Sequence, residues 1–268
     1  MAGKRARIME GMDGFPIGQD AAVSASAPAP VCPRVSDMAP IALAIMAKRP
    51  QAGEVKTRLC PPLMPEEAAQ VAHAFLLDKL EQVRRLPGVT RFIAFFPPDA
   101  EAFFRMQAGE AFSLLPQRGG DLGERLAEVS DRLLGAGFSA VMITGTDSPT
   151  LPDAVLHEAH EVLIGDRADV VLGPVDDGGY HLIGLRRSSS FLFHGIAWST
   201  DSVLSQTVAR ARLAGLRTHL LPTWFDVDTE PDLRRLMHEL GNDRIPAPRT
   251  RACLLGLASF TDRDRIPG

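Results

Sequence analysis

The sequence is poor in several features that define common protein classes. It has three cysteines in 268 residues, Cys32, Cys60 and Cys253, and no two of them form a CxxC pair. This content argues against a disulfide framework or a structural zinc site, and it fits a reducing compartment, so we expect a cytoplasmic protein. No apolar run reaches the roughly 18 residues that a membrane-spanning helix requires, so we expect no membrane span.

The sequence also lacks an excess of positive charge. Lys and Arg number 29 against 33 Asp and Glu, which gives a formal net charge of −4. Because non-specific binding to nucleic acid depends on a basic surface, we expect no nucleic-acid partner. A local basic cluster in such a chain suits a small anion better than a charged polymer.

Three widespread nucleotide-binding and hydrolase motifs are missing. The chain has no GxxxxGK[ST] segment, its first loop has no GxGxxG, and it has no GxSxG. These absences argue against a P-loop protein, a dinucleotide-binding domain and an α/β-hydrolase, respectively.

The two ends of the chain differ from its middle. The basic stretch "MAGKRARIME" is followed by the low-complexity "AAVSASAPAP", with no continuous apolar segment of the kind a signal peptide contains. We therefore predict a disordered tail over residues 1–38 and a single domain over 39–245. For the C-terminal tail, 246–268, we predict a short packed helix around 251–258.

Strand and helix patterns alternate through the middle of the chain. Short apolar runs predict strands at 41–47, 90–96, 140–144, 169–172 and 218–221. Helical spacing of apolar residues predicts helices at 65–86, 121–134, 152–163, 200–214 and 230–240. This alternation, with continuous apolar strands, predicts one α/β domain with a mainly parallel central sheet and helices on both faces.

Four polar loops follow predicted strands. They read "KRPQAGEVKTRL", "GTDSPTLP", "GPVDDGGYHLIGL" and "FDVDTEPDL". In a parallel sheet the carboxyl ends of the strands meet at one edge, which is where ligands bind in this class of fold. One basic loop and three loops rich in Asp and Gly are therefore expected to surround one site.

The acidic loops predict a divalent metal, Mg²⁺ or Mn²⁺. Carboxylates bind such hard cations through oxygen, and substrate phosphates complete the coordination. The ligand candidates are Asp147, Asp228 and Asp226, and we expect only one of the last two to face the metal, with Asp228 preferred. The alternative is that Asp147 caps a turn and that "DTEPDL" is a simple helix start.

The basic loop predicts phosphate binding. Lys48, Lys56 and Arg58 would neutralise phosphate charge, and Gly53 would let the loop bend toward the ligand. We expect at least one of Lys56 and Arg58 to point into the cleft. The alternative is a solvated surface patch, which is the usual role of a charge run.

Five motifs in order resemble those of the DUF2064 family of GT-A-fold nucleotide-diphospho-sugar transferases. They are "AKRPQAGEVKTRL", "GTDSPTLP", "GPVDDGGYHLIGL", "IAWSTDSVLSQT" and "FDVDTEPDL", and they span roughly residues 40–240. The family is also similar to 2-phospholactate guanylyltransferases, whose first loop carries a similar Lys-Ser/Thr-Arg-Leu element. The resemblance implies a Rossmann-like GT-A domain with a nucleotide at the first loop and a metal at the acidic loops.

The activity that the resemblance implies is metal-dependent glycosyl transfer from a nucleotide-diphospho-sugar to a small acceptor. Asp147 would hold the metal, Asp177 would act as hydrogen-bond acceptor or base, and Asp121 would lie in a loop that closes over the base or sugar. The loop around the sugar or acceptor would contain Gly178, Gly179, Tyr180 and Trp198. For Tyr180 and Trp198, core packing is the alternative.

Nucleotidyl transfer and non-catalytic binding are the two alternative functions. In nucleotidyl transfer, an acceptor phosphate would attack the α-phosphate of a nucleoside triphosphate and release pyrophosphate, which suits the basic first loop. In a non-catalytic nucleotide-sugar binding protein, the same site would bind without turnover, although the three acidic candidates argue against this.

Overall fold

The computed structural model describes residues 41–242 and 245–257. The tail predicted over residues 1–38 lies outside the described residues, so the domain boundaries stay a proposal. No helix within the described ranges is long and apolar enough to cross a membrane.

The described part of the chain is built on a seven-stranded mixed sheet. Its strand order is β3-β2-β1-β4-β6-β5-β7. The strands are β1 Ile41–Lys48, β2 Val89–Phe96, β3 Ser113–Pro116, β4 Ala140–Thr144, β5 Val170–Pro174, β6 Tyr180–Leu185 and β7 Thr218–Leu220. β6 runs antiparallel to β4 and β5, and the other neighbouring pairs are parallel. The predicted α/β domain with a mainly parallel sheet is confirmed.

Seven helices accompany these strands in the described residues. They are α1 Pro65–Arg85, α2 Glu101–Ala108, α3 Leu122–Gly135, α4 Asp153–Ile164, α5 Val203–Leu213, α6 Glu230–Leu240 and α7 Pro248–Leu255. Local capping fixes where two of them begin. Asp121 accepts a hydrogen bond from the Glu124 amide at 2.8 Å ahead of α3, and Asp232 accepts one from the Thr229 amide at 2.8 Å ahead of α6.

The core divides into two layers because the sheet buries both faces. Along β1, Ile41, Leu43 and Ile45 belong to one apolar cluster, which includes residues of α1, α2 and α4. Ala42 and Ala44 belong to the other cluster, which includes residues of α3 and α5. Side chains alternate along a strand, so a continuous apolar run such as "IALAI" serves both layers.

A third apolar cluster lies beneath the first and last of the polar loops, and we call it the apolar floor. It contains Leu59 and Leu63 from the first loop, Phe75 from α1, and Phe225 and Val227 from the last loop. Residues of α6 and α7 complete it. The basic loop and the last acidic loop therefore rest on one packed surface.

Three elements were not predicted from the sequence. β3 and α2 are short, with four and eight residues, respectively. β6 was expected as part of the loop "GPVDDGGYHLIGL", but Tyr180–Leu185 forms a strand inserted between β4 and β5. A tight turn with Gly178 at φ 88 joins it to β5, so the chain reverses direction without a crossover helix.

Asp78 anchors the C-terminal helix and provides a test of its packing. This α1 carboxylate is buried and accepts hydrogen bonds from the amides of Arg249 and Thr250, at 3.0 and 2.8 Å, in the first turn of α7. Asp78→Ala would leave both amides without that partner, so we expect the free energy of unfolding to fall by about 1–3 kcal/mol. Urea denaturation measures this change.

The matched control is Glu81→Ala, because Glu81 is exposed on the same helix and pairs only weakly with Arg84, at 3.4 Å. We expect it to change stability by less than about 0.5 kcal/mol. Equal stability of the two variants would show that Asp78 does not hold α7.

Candidate active site

A cavity of about 530 Å³ opens at the carboxyl ends of β1 and β4. Lys48, Lys56 and Arg58 line it from the first loop, and Asp147 lines it from the loop after β4. Asp226, Asp228 and Tyr180 also line it. The structure thus brings together residues as distant in the chain as Lys56 and Asp228, which are 172 positions apart.

Lys56 is the most constrained of the three cations. Its backbone is in the left-handed region, with φ 49 and ψ 36, just before a short 3-10 turn at Thr57–Leu59. Its Nζ lies 2.6 Å from Asp147 Oδ1 and 2.8 Å from Asp228 Oδ1, and the side chain is 8% exposed. Burial lowers the pKa of Lys56, but the two carboxylates outweigh burial and raise the pKa above its ordinary value, so the side chain is charged.

The other two cations are more accessible. Lys48 donates to the carbonyl of Glu54 at 2.8 Å, which ties it to its own loop. Arg58 is exposed, and no carboxylate among the described residues pairs with it. Gly53 has φ 76, and the space beside it is open, so glycine is required there by the turn and not by a close contact.

Asp226 and Asp228 both line the cavity. Which of the two would face a metal stays a prediction, with Asp228 preferred. Residues i and i+2 of an extended segment lie on the same side. The intervening Val227 is buried in the apolar floor, and its amide donates to the Asp147 carbonyl at 2.9 Å. That hydrogen bond also aligns the two acidic loops.

Asp226 is the most buried of the three acidic candidates. Its carboxylate accepts a hydrogen bond from Ser148 Oγ. Burial, followed by the nearby charge of Asp147, raises the pKa of Asp226 to about 7. These three carboxylates therefore line one cavity, and Lys56 Nζ is the cation that contacts two of them.

These residues fit a hard divalent cation of the Mg²⁺ or Mn²⁺ kind. Within the described ranges, no group of three or more His, Cys, Asp or Glu is arranged to hold a metal ion, so a metal here would rest on fewer protein ligands. Asp147 and Asp228 already share one cationic atom, Lys56 Nζ, so their oxygens could bind a metal jointly. An open site of two carboxylates is typical of metals whose other ligands are water and substrate phosphate.

The predicted sugar or acceptor loop is only partly at the cavity. Tyr180 lines it, and burial raises the pKa of the Tyr180 hydroxyl. Trp198 packs edge-on against Tyr180, with ring centroids 6.4 Å apart, behind the cavity wall. The carboxylate of Asp177 is exposed and accepts from the Gly179 amide at 3.0 Å within its own turn, away from the cavity lining.

Gly178 and Asp121 have structural roles. A Cβ on Gly178 would lie 2.1 Å from the Asp201 carbonyl oxygen, so only glycine fits there. Asp121 caps α3, as described above, and lies outside the cavity lining, which Leu122 reaches instead.

Lys79 was not singled out from the sequence. It is 1% exposed, and its Nζ donates to Gln82 Oε1 at 2.7 Å. Burial lowers the pKa of Lys79 to about 8, against the opposing charge of Asp226, Asp153 and Asp147. Nothing in the helical pattern of "FLLDKLEQV" distinguishes this buried lysine from a surface one.

Comparison with known proteins gives the class to which this α/β fold belongs: transferases that resemble nucleotide-diphospho-sugar transferases. A solved structure of a candidate nucleotide-diphospho-sugar transferase from Desulfovibrio desulfuricans G20 is 31% identical to this chain, with a TM-score of 0.74. The match covers 80% of this chain and 95% of that one.

Two further comparisons agree with this class. Residues 79–200 match the family model described as "Uncharacterized protein conserved in bacteria (DUF2064)". The 2-phospho-L-lactate guanylyltransferase of Methanothermobacter thermautotrophicus (strain Delta H) is 27% identical over 186 residues, which is 68% of this chain and 78% of the relative. The chain belongs to the family of nucleotide-diphospho-sugar transferase-like proteins that the solved Desulfovibrio desulfuricans structure represents, and it is a transferase.

Proposed function

We propose that this protein is a metal-dependent transferase that uses a nucleotide-activated donor, and that it transfers a glycosyl group from a nucleotide-diphospho-sugar to a small acceptor. One observation carries the proposal: three cations of the first loop face the same cavity as the carboxylates of Asp147, Asp226 and Asp228, at the carboxyl ends of β1 and β4. Opposed cations and carboxylates suit an anionic ligand that binds together with a metal.

The phosphates of the donor would lie against the first loop. Arg58 offers a planar fork of donors to phosphate oxygens, and Lys48 adds a second charge at the end of β1. Asp147 and Asp228 would hold the metal, with Asp226 beside them. When bound, the metal supplies charge neutralisation for the diphosphate leaving group.

The acceptor would enter from the side of the β5–β6 turn. Tyr180 forms part of the wall there and is braced by Trp198. We assign the role of acceptor base to Asp177, whose exposed carboxylate follows β5 at the same edge of the sheet. Its distance from the cavity lining means that this role depends on movement of the turn when the acceptor binds.

Nucleotidyl transfer is the second candidate, and the similarity to the guanylyltransferase favours it. The same three cations could hold a triphosphate. The donor would then lose pyrophosphate, and the acceptor would be a phosphorylated small molecule.

The cytoplasmic location also remains a proposal, which fractionation of cells would test.

Product analysis separates these functions. The purified protein is incubated with Mn²⁺ or Mg²⁺ and either nucleotide-diphospho-sugars with small acceptors, or GTP, CTP or UTP with phosphorylated acceptors. Release of nucleoside diphosphate supports glycosyl transfer, and release of pyrophosphate supports nucleotidyl transfer. Binding of nucleotide without turnover of either panel would support the non-catalytic alternative.

A further inference from the structure

Lys56 is engaged with the carboxylates that are the metal-ligand candidates, and not with open space in the cavity. Its Nζ lies within 2.8 Å of an oxygen of both Asp147 and Asp228. The Phe75 ring, 5.7 Å away, lies along its other side. The Lys56 ammonium therefore lies between the loop that carries Asp147 and the loop that carries Asp228.

An ammonium and a divalent ion compete for these oxygens. Lys56 Nζ contacts one oxygen of each carboxylate, Oδ1 of Asp147 and Oδ1 of Asp228. A metal bridging Asp147 and Asp228 would need oxygens of the same two groups, and two cations so close together repel each other strongly. Each carboxylate also has a second oxygen, so it is the repulsion between the two cations that would drive Lys56 from at least one carboxylate.

A displaced Lys56 needs another anion. Its side chain is mostly buried, and leaving a buried charge without a partner is costly. Of the other charged groups that line the cavity, Lys48 and Arg58 are cations. Glu54 already pairs with Lys48 at 3.7 Å, and Asp226 already accepts from Ser148. The phosphates of a bound nucleotide would provide the missing negative charge.

We propose that Lys56 is a resident counter-ion that occupies the two-carboxylate site in the free protein and transfers to the donor phosphates when a divalent cation binds. The metal and the nucleotide then strengthen each other's binding, because each removes the cost of displacing Lys56 for the other. This inference rests on the proposed function, since it takes the cavity to be a metal and nucleotide site.

The test is calorimetric titration of Mn²⁺ into the full chain, with and without a nucleoside diphosphate. In Lys56→Met, the competing charge is removed and the apolar stem is kept. We expect the variant, without nucleotide, to bind Mn²⁺ about tenfold or more tightly than the parent protein, because two charge-assisted hydrogen bonds no longer have to be broken. The nucleotide should then improve Mn²⁺ affinity less in the variant than in the parent.

Two further variants isolate the charge at this position. Lys56→Arg keeps a cation between the carboxylates and should bind Mn²⁺ as weakly as the parent. Arg49→Met removes a positive charge from the same loop, where Arg49 lies 3.9 Å from Asp99, and should leave Mn²⁺ affinity unchanged. Should Lys56→Met not fold, Lys56→Gln provides the same comparison.

Mn²⁺ affinities of the parent protein and the variants distinguish failure of the counter-ion role from failure of the proposed metal site. If nucleotide and Mn²⁺ bind together to the parent protein but Lys56→Met binds Mn²⁺ no more tightly, Lys56 is not a competing counter-ion. The inference is equally wrong if Lys56→Arg gains as much Mn²⁺ affinity as Lys56→Met. If no protein binds Mn²⁺ with or without nucleotide, the metal dependence proposed above fails, and the inference fails with it.

Discussion

Asp147→Asn is expected to reduce turnover by about 10²- to 10⁴-fold while leaving the fold intact. Asp147 follows β4 at the edge of the cavity and is 41% exposed, so an amide of the same size fits without repacking. The change removes one of the two carboxylates that would hold the metal and stabilise leaving-group charge. Initial rates with the active donor measure the loss, and a thermal melt checks the fold.

The matched control for this variant is Asp131→Asn. Asp131 is an acceptor for Ser188 on the far side of α3, outside the cavity lining. Its turnover should stay within about twofold of the parent protein, because surface substitutions of this kind have small effects. Near-normal turnover in Asp147→Asn would place the metal elsewhere and contradict the assignment of Asp147.

Arg58→Ala should weaken nucleoside diphosphate binding about 10- to 150-fold. Loss of a charge-assisted contact to phosphate corresponds to roughly 1.5–3 kcal/mol. Arg58 lines the cavity and is exposed, so its removal should change the melting temperature of the free protein little. Calorimetric titration with the diphosphate and with the matching nucleoside measures both affinities.

The comparison of the two ligands decides what Arg58 recognises. A nucleoside has no phosphate, so its affinity should change by no more than about twofold. Arg105→Ala serves as the control, since Arg105 pairs with Glu101 on α2, at 3.0 Å, and is not among the residues that line the cavity. Equal weakening of diphosphate and nucleoside would mean that Arg58 shapes the site or contacts the base, and the phosphate assignment would be wrong.

Much of the fold could be predicted because its strands are apolar on both faces. β1 and β4, each buried on both sides, are visible as short uninterrupted apolar runs. β6 could not be recognised in this way. Its sequence, "YHLIGL", contains His181 and Gly184 and follows a turn rich in Gly, so local pattern favours a loop. Its place between β4 and β5 is decided by pairing with strands distant in sequence.

The residue types at the site could be predicted, but their partners could not. Spacing after strands singled out Lys56, Asp147 and Asp228 individually. That the lysine would lie between the two carboxylates depends on how two loops, far apart in sequence, pack together. Asp177 was also singled out from its motif, which is rich in Asp and Gly. Its carboxylate accepts a hydrogen bond from the Gly179 amide in its own turn and does not line the cavity.

The apolar floor links packing to charge at this site. Leu59 follows Lys56 by three residues, and Val227 lies between the two acidic side chains, with both apolar residues buried in the same cluster. Interiors are close-packed, so a shift of one loop on this surface moves the other. A change of volume at Leu59 would therefore alter the spacing between Lys56 and its carboxylates. A substitution of one apolar residue for another at Leu59 can therefore change the strength of the ion pairs that Lys56 makes with Asp147 and Asp228.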